Sequence, residues 1–432
     1  MRTGRLILYR DFEGSRLLRD MVWLMENYED EFYEQEDVAG LLYDCMNRLL
    51  EMAGKYGFYG NLWHCYLTDI LVNDENSYSC AAEMRGYADG TLNRAALHDL
   101  RIFKELYDFD LLKMAEALGA DDFDIVLSYE AGERESHVYN TRICSRICAL
   151  AQKLSGSRTA EEMKDTLTQF YGEYGVGKFG LHKAFRVARA DGLVRIEPVS
   201  KTAHVCLSDL VGYELAKKKL IENTEAFVNG KKANNCLLYG DAGTGKSTCI
   251  KALANEYYSK GLRIIEVYKH QFQDLNEVVA QIKNRNYKFI IYMDDLSFEE
   301  FEIEYKYLKA VIEGGLERKP DNILIYATSN RRHLVRERSG DKLELMDEDD
   351  LHSSDTVQEK LSLVYRFGVR IYFGAPTRKE FECIVKTLAA RNGIEMPEKE
   401  LLLEAGRWEL SHGGLTGRTA QQFIDYLLGK ER

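Results

Sequence analysis

Residues 240–248 read Gly-Asp-Ala-Gly-Thr-Gly-Lys-Ser-Thr, and this stretch decides the fold. It matches the pattern G-x-x-x-x-G-K-[ST], in which a glycine-rich loop joins a strand to a helix. An apolar run at 236–239 precedes the loop, and a helical pattern at 249–254 follows it. Glycines let backbone N–H groups converge on phosphate oxygens, and the helix N-terminus adds partial positive charge. The sequence therefore predicts a nucleotide phosphate site.

Two side chains of this loop have specific expected tasks. Lys246 is predicted to reach the β- and γ-phosphates of ATP, and the Ser247 hydroxyl is predicted to hold Mg²⁺. The remaining predicted nucleotide contacts in the loop are Gly240, Asp241, Ala242, Gly243, Thr244, Gly245 and Thr248.

Two acids follow the next long apolar run. Residues 289–293 read Phe-Ile-Ile-Tyr-Met, as expected of a parallel strand buried on both faces, and Asp294 and Asp295 come directly after. A carboxylate at the C-terminal end of such a strand lies beside the phosphate loop. Asp294 is predicted to hold Mg²⁺ through water, and Asp295 to polarise the attacking water. Glu299 or Glu300 is the alternative base.

Two further polar side chains are predicted to take part. A strand at 323–327 runs into Thr-Ser-Asn, and Asn330 is predicted to bridge the γ-phosphate and the attacking water. Asn330 also suits the cap of a short helix at 331–338, and both roles are compatible. Arg366 follows a predicted helix end at 361–365, which places it to reach out of its own subunit.

This ordered set of motifs resembles the AAA+ ATPases over about residues 205–430. Within that superfamily the chain looks most like a bacterial family of predicted AAA+ ATPases with a domain of unknown function. The resemblance implies that Val211 and Gly212 lie near the adenine. It also implies that Arg366 is an arginine finger and that Arg418 is the sensor arginine of the lid. The stretches that carry it are Leu-Ser-Asp-Leu-Val-Gly-Tyr at 207–213, Glu-Asn-Thr-Glu-Ala-Phe at 222–227, Asp-Asp-Leu-Ser-Phe-Glu at 294–299 and Ala-Thr-Ser-Asn-Arg-Arg at 327–332.

The expected fold is α/β. It has an AAA+ P-loop core with a five-stranded parallel sheet and helices on both faces, a small C-terminal helical lid and a mostly helical N-terminal domain. Apolar residues recur at helical spacing at 17–25, 41–50 and 97–107. An acidic insertion at 341–350 interrupts the core. The strands are predicted at 235–239, 263–268, 287–293, 322–328 and 369–373, and the lid helices at 377–391, 398–411 and 416–429. The predicted domains are 1–155 (helical), 156–204 (helix/hairpin connector), 205–374 (ATPase core) and 375–432 (lid).

Two interpretations of the connector remain open. In the first, 185–187 and 193–196 form a β-hairpin around Asp191-Gly192, a dipeptide typical of hairpin turns. In the second, 181–189 is a recognition helix followed by a wing. The connector holds the most basic cluster of the N-terminal part: Lys178, Lys183, Arg186, Arg189 and Arg195.

Charge and composition limit the partners. The formal net charge is −12, and residues 1–200 hold 34 acidic against 23 basic residues. This disfavours broad binding to a nucleic acid backbone, although the basic cluster keeps DNA contact open.

No apolar run approaches the roughly 20 residues of a membrane span, and the N-terminus lacks a signal-peptide pattern. The nine scattered cysteines fit neither a zinc pattern nor a disulfide framework, which indicates a cytoplasmic protein.

The sequence thus predicts an ATPase that depends on Mg²⁺ and forms a ring or other homo-oligomer, since an arginine finger acts on a neighbour. Hydrolysis is expected to be coupled to a macromolecular partner, with the N-terminal domain binding an unknown protein. The alternatives are remodelling of a protein, loading onto nucleic acid, and a switch with slow turnover. The sequence does not choose among these alternatives.

Overall fold

The computed structural model describes residues 3–10, 15–130, 138–139, 141–200, 202, 204–297, 304–313, 320–330 and 362–430. The chain divides into two compact units, Met1–His182 and Lys183–Arg432. Within the described ranges, no helix combines the length and the apolar character needed to cross a membrane. Four sequence predictions lie outside the described residues: the alternative bases Glu299 and Glu300, the short helix at 331–338 and the acidic insertion at 341–350.

The first unit is helical, and the helices predicted from the spacing at 17–25, 41–50 and 97–107 are confirmed. Their apolar faces form one core, which encloses Trp63, Leu67 and Phe103 completely. The Trp63 indole N–H donates to the carbonyl oxygen of Leu106 at 3.0 Å, so this buried polar atom is satisfied. The helices are α1 (Ser15–Asn27), α2 (Gln35–Tyr56), α3 (Leu62–Asn73), α4 (Ser77–Arg85), α5 (Gly90–Asp108), α6 (Leu111–Ala117), α7 (Asp124–Leu127), α8 (Thr141–Ser155), α9 (Ala160–Tyr174) and α10 (Gly177–Leu181).

The second unit is built on a sheet of seven strands, in the spatial order β2-β1-β4-β5-β6-β3-β7. All neighbouring pairs are parallel except β1 with β2. The predicted sheet of five strands is therefore too small, because the connector adds two strands at the β4 edge. The strands are β1 (Ala184–Ala190), β2 (Leu193–Pro198), β3 (Cys236–Gly240), β4 (Leu262–Glu266), β5 (Lys288–Met293), β6 (Ile323–Ser329) and β7 (Val369–Phe373).

The connector is a β-hairpin, so the hairpin interpretation is confirmed and the recognition helix at 181–189 is wrong. Strands β1 and β2 flank a two-residue turn in which Asp191 has φ 53° and Gly192 has φ 77°. Two residues with positive φ make the type of turn whose twist matches the strands. Alternate residues of both strands are buried: Phe185, Val187, Val194 and Ile196.

The basic residues of the hairpin have acidic or polar partners. Arg189 pairs with the buried carboxylate of Asp274 at 2.6 Å, and Arg186 pairs with Glu197 at 3.1 Å. Arg195 lies 3.8 Å from Asp191, and the Lys183 ammonium donates to the side-chain oxygen of Asn255. These contacts offset the positive charge that the protein would need to bind a phosphate backbone, so the cluster gives little support to DNA binding.

Helices cover the parallel part of the sheet, and three more form the C-terminal lid. The predicted lid helices are confirmed within one residue at each end. They share a small apolar core that includes Phe381, Val385, Leu401 and Phe423. The helices of the second unit are α11 (Glu214–Val228), α12 (Lys246–Tyr257), α13 (Leu275–Ile282), α14 (Glu304–Glu313), α15 (Arg378–Arg391), α16 (Glu398–Ser411) and α17 (Gly417–Lys430).

Candidate nucleotide site

The glycine-rich loop begins at the last residue of β3 and ends in the first turn of α12. Gly240, Gly243 and Gly245 have φ values of 133°, 74° and 89°, which side-chain-bearing residues rarely adopt. A Cβ at Gly240 would lie 2.1 Å from the carbonyl oxygen of Phe373 on β7. Both the backbone conformation and the close approach of β7 therefore require glycine at this position.

Lys246 is buried inside the loop, with 6% of its surface exposed. Its ammonium group donates to the carbonyl oxygens of Gly240 at 3.0 Å and Asp241 at 2.6 Å. Burial lowers the pKa of Lys246, and the nearby carboxylates of Asp241, Asp295 and Asp294 oppose that shift. The loop thus contains a buried lysine whose hydrogen bonds go to neutral carbonyl groups.

Asp294 joins the loop to the ends of two strands. Its Oδ1 accepts hydrogen bonds from the Ser247 hydroxyl at 2.7 Å, from the Thr328 hydroxyl at 2.6 Å and from the N–H of Asp295 at 3.2 Å. Burial alone would raise the pKa of Asp294, but the bonds from Thr328 and Ser247 outweigh it and leave the pKa lowered. The carboxylate is therefore ionised and fixed beside the Ser247 hydroxyl.

Asp295 is held in an uncommon backbone conformation, with φ 50°. Asp tolerates this left-handed region better than most residues with a side chain. Its N–H donates to the Thr328 hydroxyl at 2.9 Å, and its Oδ1 accepts from the Asn330 side-chain amide at 2.8 Å. Two residues at the end of β6 thus set both the backbone and the carboxylate of Asp295.

These groups face one cavity of about 690 Å³ in the second unit. Its walls include Leu210 and Val211 from the segment before α11, and Ile384 and Leu388 from the lid helix α15. A cavity that combines an apolar wall with a polar loop suits a ligand that has a flat aromatic ring and a charged group. The sequence-predicted residues that line it are Val211, Ala242, Gly243, Thr244, Gly245, Lys246, Ser247, Thr248, Asp294, Asp295, Asn330 and Arg418.

Four predicted site residues are not in that lining. Gly212, Gly240, Asp241 and Arg366 lie outside the set of described residues that form the cavity wall. Gly240 and Asp241 still shape the loop, since the carbonyl oxygens of both accept from Lys246. The Arg366 guanidinium donates to the backbone and side-chain oxygens of Ser362, both at 2.9 Å.

The loop is also tied to the lid. The Asp241 carboxylate accepts from the N–H of Ala375 at 2.7 Å, in the segment between β7 and α15. The N–H of Arg418, in the first turn of α17, donates to the carbonyl oxygen of Gly243 at 3.2 Å. Hydrogen bonds therefore connect the loop to the segment before the lid and to the last lid helix.

Sequence reasoning missed Thr328 as a site residue. The register of β5 with β6 pairs Met293 with Ala327, so the residues after them, Asp294 and Thr328, lie side by side. A hydroxyl residue after an apolar strand was visible in the sequence, but its partner depends on the strand register. The apolar wall from Ile384 and Leu388 was missed for a similar reason, since their periodicity fits any helix with a buried face.

A glycine-rich loop between a parallel strand and a helix, a carboxylate at the end of the strand two places away in the sheet and a helical lid are the arrangement typical of AAA+ P-loop proteins. The particular family follows from the sequence. The chain belongs to the family described as "Protein of unknown function (DUF815)", whose model matches residues 180–431.

Local similarity extends to curated proteins. The chain is 37% identical over 73 residues to the replication factor C large subunit of Staphylothermus marinus, which is 17% of this chain and 16% of that protein. It is 41% identical over 61 residues to the replication factor C large subunit of Methanococcus maripaludis, covering 14% of this chain and 13% of that protein. The matches thus span less than a fifth of these relatives.

Solved structures of Thermotoga maritima RuvB are similar in part. One variant has a TM-score of 0.37 and 19% identity, covering 52% of this chain and 65% of that chain. The structure described as the RuvB Holliday junction branch migration motor has a TM-score of 0.33 and 15% identity, covering 51% of this chain and 72% of that chain.

Proposed function

We propose that this protein binds ATP in the cavity beside residues 240–248 and hydrolyses it with Mg²⁺. The observation that carries the proposal is the cluster of Ser247, Asp294 and Thr328, which places a hydroxyl and an ionised carboxylate next to the glycine-rich loop. Lys246 exchanges the carbonyl oxygens of its own loop for phosphate oxygens. The adenine base of the nucleotide packs against Leu210, Val211, Ile384 and Leu388.

The residues present fit a magnesium ion. A carboxylate and a hydroxyl oxygen are the hard ligands that Mg²⁺ takes, and it keeps several waters when bound beside phosphates. Ser247 would hold the ion directly and Asp294 through water. When bound, Mg²⁺ neutralises the charge on the β- and γ-phosphate oxygens.

The chemistry at the reacting end falls to Asp295 and Asn330. The Asp295 carboxylate takes the proton of the attacking water, and the Asn330 amide orients that carboxylate and the water. Arg366 serves a neighbouring chain, so the active form is a homo-oligomer. Arg418 contacts the phosphates from the lid.

Hydrolysis is coupled to remodelling or switching of a macromolecular partner. The proposed route is the pair of hydrogen bonds that tie the loop to the segment before the lid and to α17. The acidic N-terminal part favours a protein partner over a nucleic acid.

Lys246→Ala tests the proposal. Because charge-assisted hydrogen bonds contribute about 1.5–3 kcal/mol each, we expect the affinity for ATP with Mg²⁺ to fall by about 100-fold. Isothermal titration calorimetry measures the affinity directly. Lys219→Ala is the matched control, since Lys219 is exposed on α11 and should leave binding unchanged. Equal affinity of wild type and Lys246→Ala contradicts the proposed function.

A further inference from the structure

Tyr292 carries a buried hydroxyl that the proposed chemistry does not use. The residue is the fifth of β5 and is 2% exposed. Among the described residues its hydroxyl oxygen has no hydrogen-bond partner. The phenol lies close to Asp294, Ser247 and Thr328. None of these contacts has the distance and angle of a hydrogen bond.

An unpartnered buried hydroxyl is costly. Leaving a buried donor unsatisfied lowers the stability of the folded state, and most buried polar atoms in proteins have a partner. Burial raises the pKa of the Tyr292 phenol, so the group stays a neutral donor at physiological pH. Its position beside the candidate metal-binding residues calls for a physical reason.

The neighbouring strand offers an internal comparison. Tyr326 on β6 is the register partner of Tyr292 and is equally buried. Its hydroxyl accepts from the Asn223 amide at 2.9 Å and lies 3.0 Å from the Thr224 hydroxyl. The same residue type at the same level of the sheet is therefore satisfied on β6 and unsatisfied on β5.

The hydrogen bonds of Asp294 explain why Tyr292 lacks a partner. Three donors already converge on its Oδ1: the hydroxyls of Ser247 and Thr328 and the N–H of Asp295. The two short bonds, from the hydroxyls of Ser247 and Thr328, fill the two lone pairs of Oδ1, whereas the N–H of Asp295 has its shorter bond, at 2.9 Å, to the Thr328 hydroxyl. The Tyr292 hydroxyl is thus a donor beside a saturated acceptor.

We propose that Tyr292 is a positioning residue of the nucleotide site, whose hydroxyl gains its hydrogen bond only in the magnesium-bound state. The inference rests on the proposed function. When the Ser247 oxygen turns toward a bound metal, its hold on Asp294 Oδ1 weakens, and the released acceptor takes the Tyr292 hydroxyl. The bond keeps Asp294 in place while Ser247 serves the metal.

This arrangement predicts that the Tyr292 hydroxyl affects the free protein and the magnesium-bound protein differently. The unsatisfied hydroxyl destabilises the free protein, and the cost is removed on binding of Mg²⁺ with nucleotide. Because the interaction differs between the two states, it contributes to binding and not to the stability of the free protein. Tyr292 then acts through Asp294 and does not touch the nucleotide.

Tyr292→Phe and Tyr326→Phe, each in the full-length chain, test the inference. The free Tyr292→Phe protein should unfold at the wild-type temperature or above it, whereas Tyr326→Phe should unfold at a lower temperature. Titration with the β,γ-imido analogue of ATP and Mg²⁺ should show Tyr292→Phe binding about 3- to 10-fold more weakly, as expected for one hydrogen bond. With EDTA in place of Mg²⁺ the difference from wild type should vanish. Tyr326→Phe should bind like wild type in both conditions.

Three results would overturn the inference. Unchanged magnesium-dependent affinity in Tyr292→Phe shows that the hydroxyl gains nothing on binding. A lower unfolding temperature of the free Tyr292→Phe protein shows that the hydroxyl already has a partner. An equal loss with Mg²⁺ and with EDTA shows that the effect does not depend on the metal. Failure of the proposed function is distinct, because wild type and Lys246→Ala would then bind the analogue alike.

Discussion

At the scale of single residues, Asp295 shows how the structure holds the side chain that we propose as the base. A left-handed backbone for a residue with a Cβ costs on the order of 1 kcal/mol, and the structure holds it there through Thr328. The turn aims the carboxylate at the cavity, where the Asn330 amide donates to it. The proposed base is thus held in one orientation at both its backbone and its side chain.

Asp295→Asn should separate binding from hydrolysis. Asn also tolerates positive φ and keeps an oxygen that accepts from Asn330, so the fold and ATP affinity should be retained. An amide does not accept the proton of water, so turnover should fall by about 100-fold or more. Steady-state phosphate release and calorimetry measure the two effects separately.

The alternative base supplies the control for this experiment. Glu299→Gln, in a part of the chain outside the described residues, should leave turnover close to wild type. If Glu299→Gln abolishes turnover while Asp295→Asn retains it, the base is Glu299. If both variants retain turnover, neither residue accepts the proton.

Single residues also show what a sequence reveals about such a site. Lys246, Ser247 and Asp294 could be predicted because each has a fixed place relative to a strand end. The contacts of Thr328 and the proposed role of Tyr292 could not, since they depend on which strands are neighbours and in what register. A local sequence pattern shows where a residue lies relative to a strand end, but it does not show the order or the register of the strands.

At the scale of the element, the connector shows why the sequence pattern alone left two interpretations of its secondary structure. Apolar residues at 181, 184, 185 and 188 suit one face of a helix, whereas those at 185 and 187 suit one face of a strand. What decides is the partner: β1 pairs with β4 over Ala184–Arg186, and this contact joins the hairpin to the large sheet. The long apolar runs of β3, β5 and β6 had no such ambiguity, because buried parallel strands are apolar on both faces.

Helix α3 carries a carboxylate with a shifted pKa. Asp69 Oδ1 accepts from the Tyr139 hydroxyl and from the Asn73 amide, both at 2.9 Å. The residue as a whole is half-buried. Burial raises the pKa of Asp69 to about 6 despite these two donors. The ordinary value in an unfolded chain is about 3.9, so the folded state binds the proton more tightly.

The sign of the pH effect on stability follows from that difference. Between about pH 4 and pH 6 the folded state holds more protons than the unfolded state, so this group's contribution falls as pH rises and levels off above pH 6. Asp69→Asn should remove that contribution and leave the variant more stable than wild type above pH 6, by about 1–3 kcal/mol. Denaturant unfolding followed by tryptophan fluorescence measures it, because Trp23 and Trp63 lie in the first unit.

The exposed Asp121 provides the matched control for Asp69. Asp121→Asn removes the same charge without burial and should keep the wild-type dependence on pH. A difference between wild type and Asp69→Asn that is constant from pH 4 to pH 8 would contradict the raised pKa.

At the scale of the whole molecule, charge is divided between the two parts of the chain. Residues 1–200 carry most of the net charge of −12, and the basic cluster of the hairpin is paired. Electrostatic attraction therefore favours a partner with a basic surface over a phosphate backbone. The sequence predicted this imbalance from counts alone, whereas the pairing of the hairpin arginines required the structure.

Assembly is the remaining question at this scale, and Arg366 is the residue that tests it. The guanidinium is fixed on Ser362 and lies outside the described lining of the cavity of its own chain. If Arg366 does not reach the phosphates in its own chain, it can act only on phosphates bound to another chain. A finger from a second chain would meet that need, and the proposed hydrolysis would then be a property of the oligomer.

Mixing two inactive variants gives a decisive measurement. Arg366→Ala should bind ATP normally and hydrolyse it about 10³-fold more slowly, as for other arginine fingers. Arg370→Ala is the control, since Arg370 is exposed on β7 and should leave turnover unchanged. Arg366→Ala mixed with Lys246→Ala should recover part of the activity, because the intact Arg366 of one chain can face the intact Lys246 of the other. Wild-type turnover should also rise faster than linearly with protein concentration. Strictly linear turnover with no recovery on mixing would show that Arg366 acts within its own chain or has no part in hydrolysis.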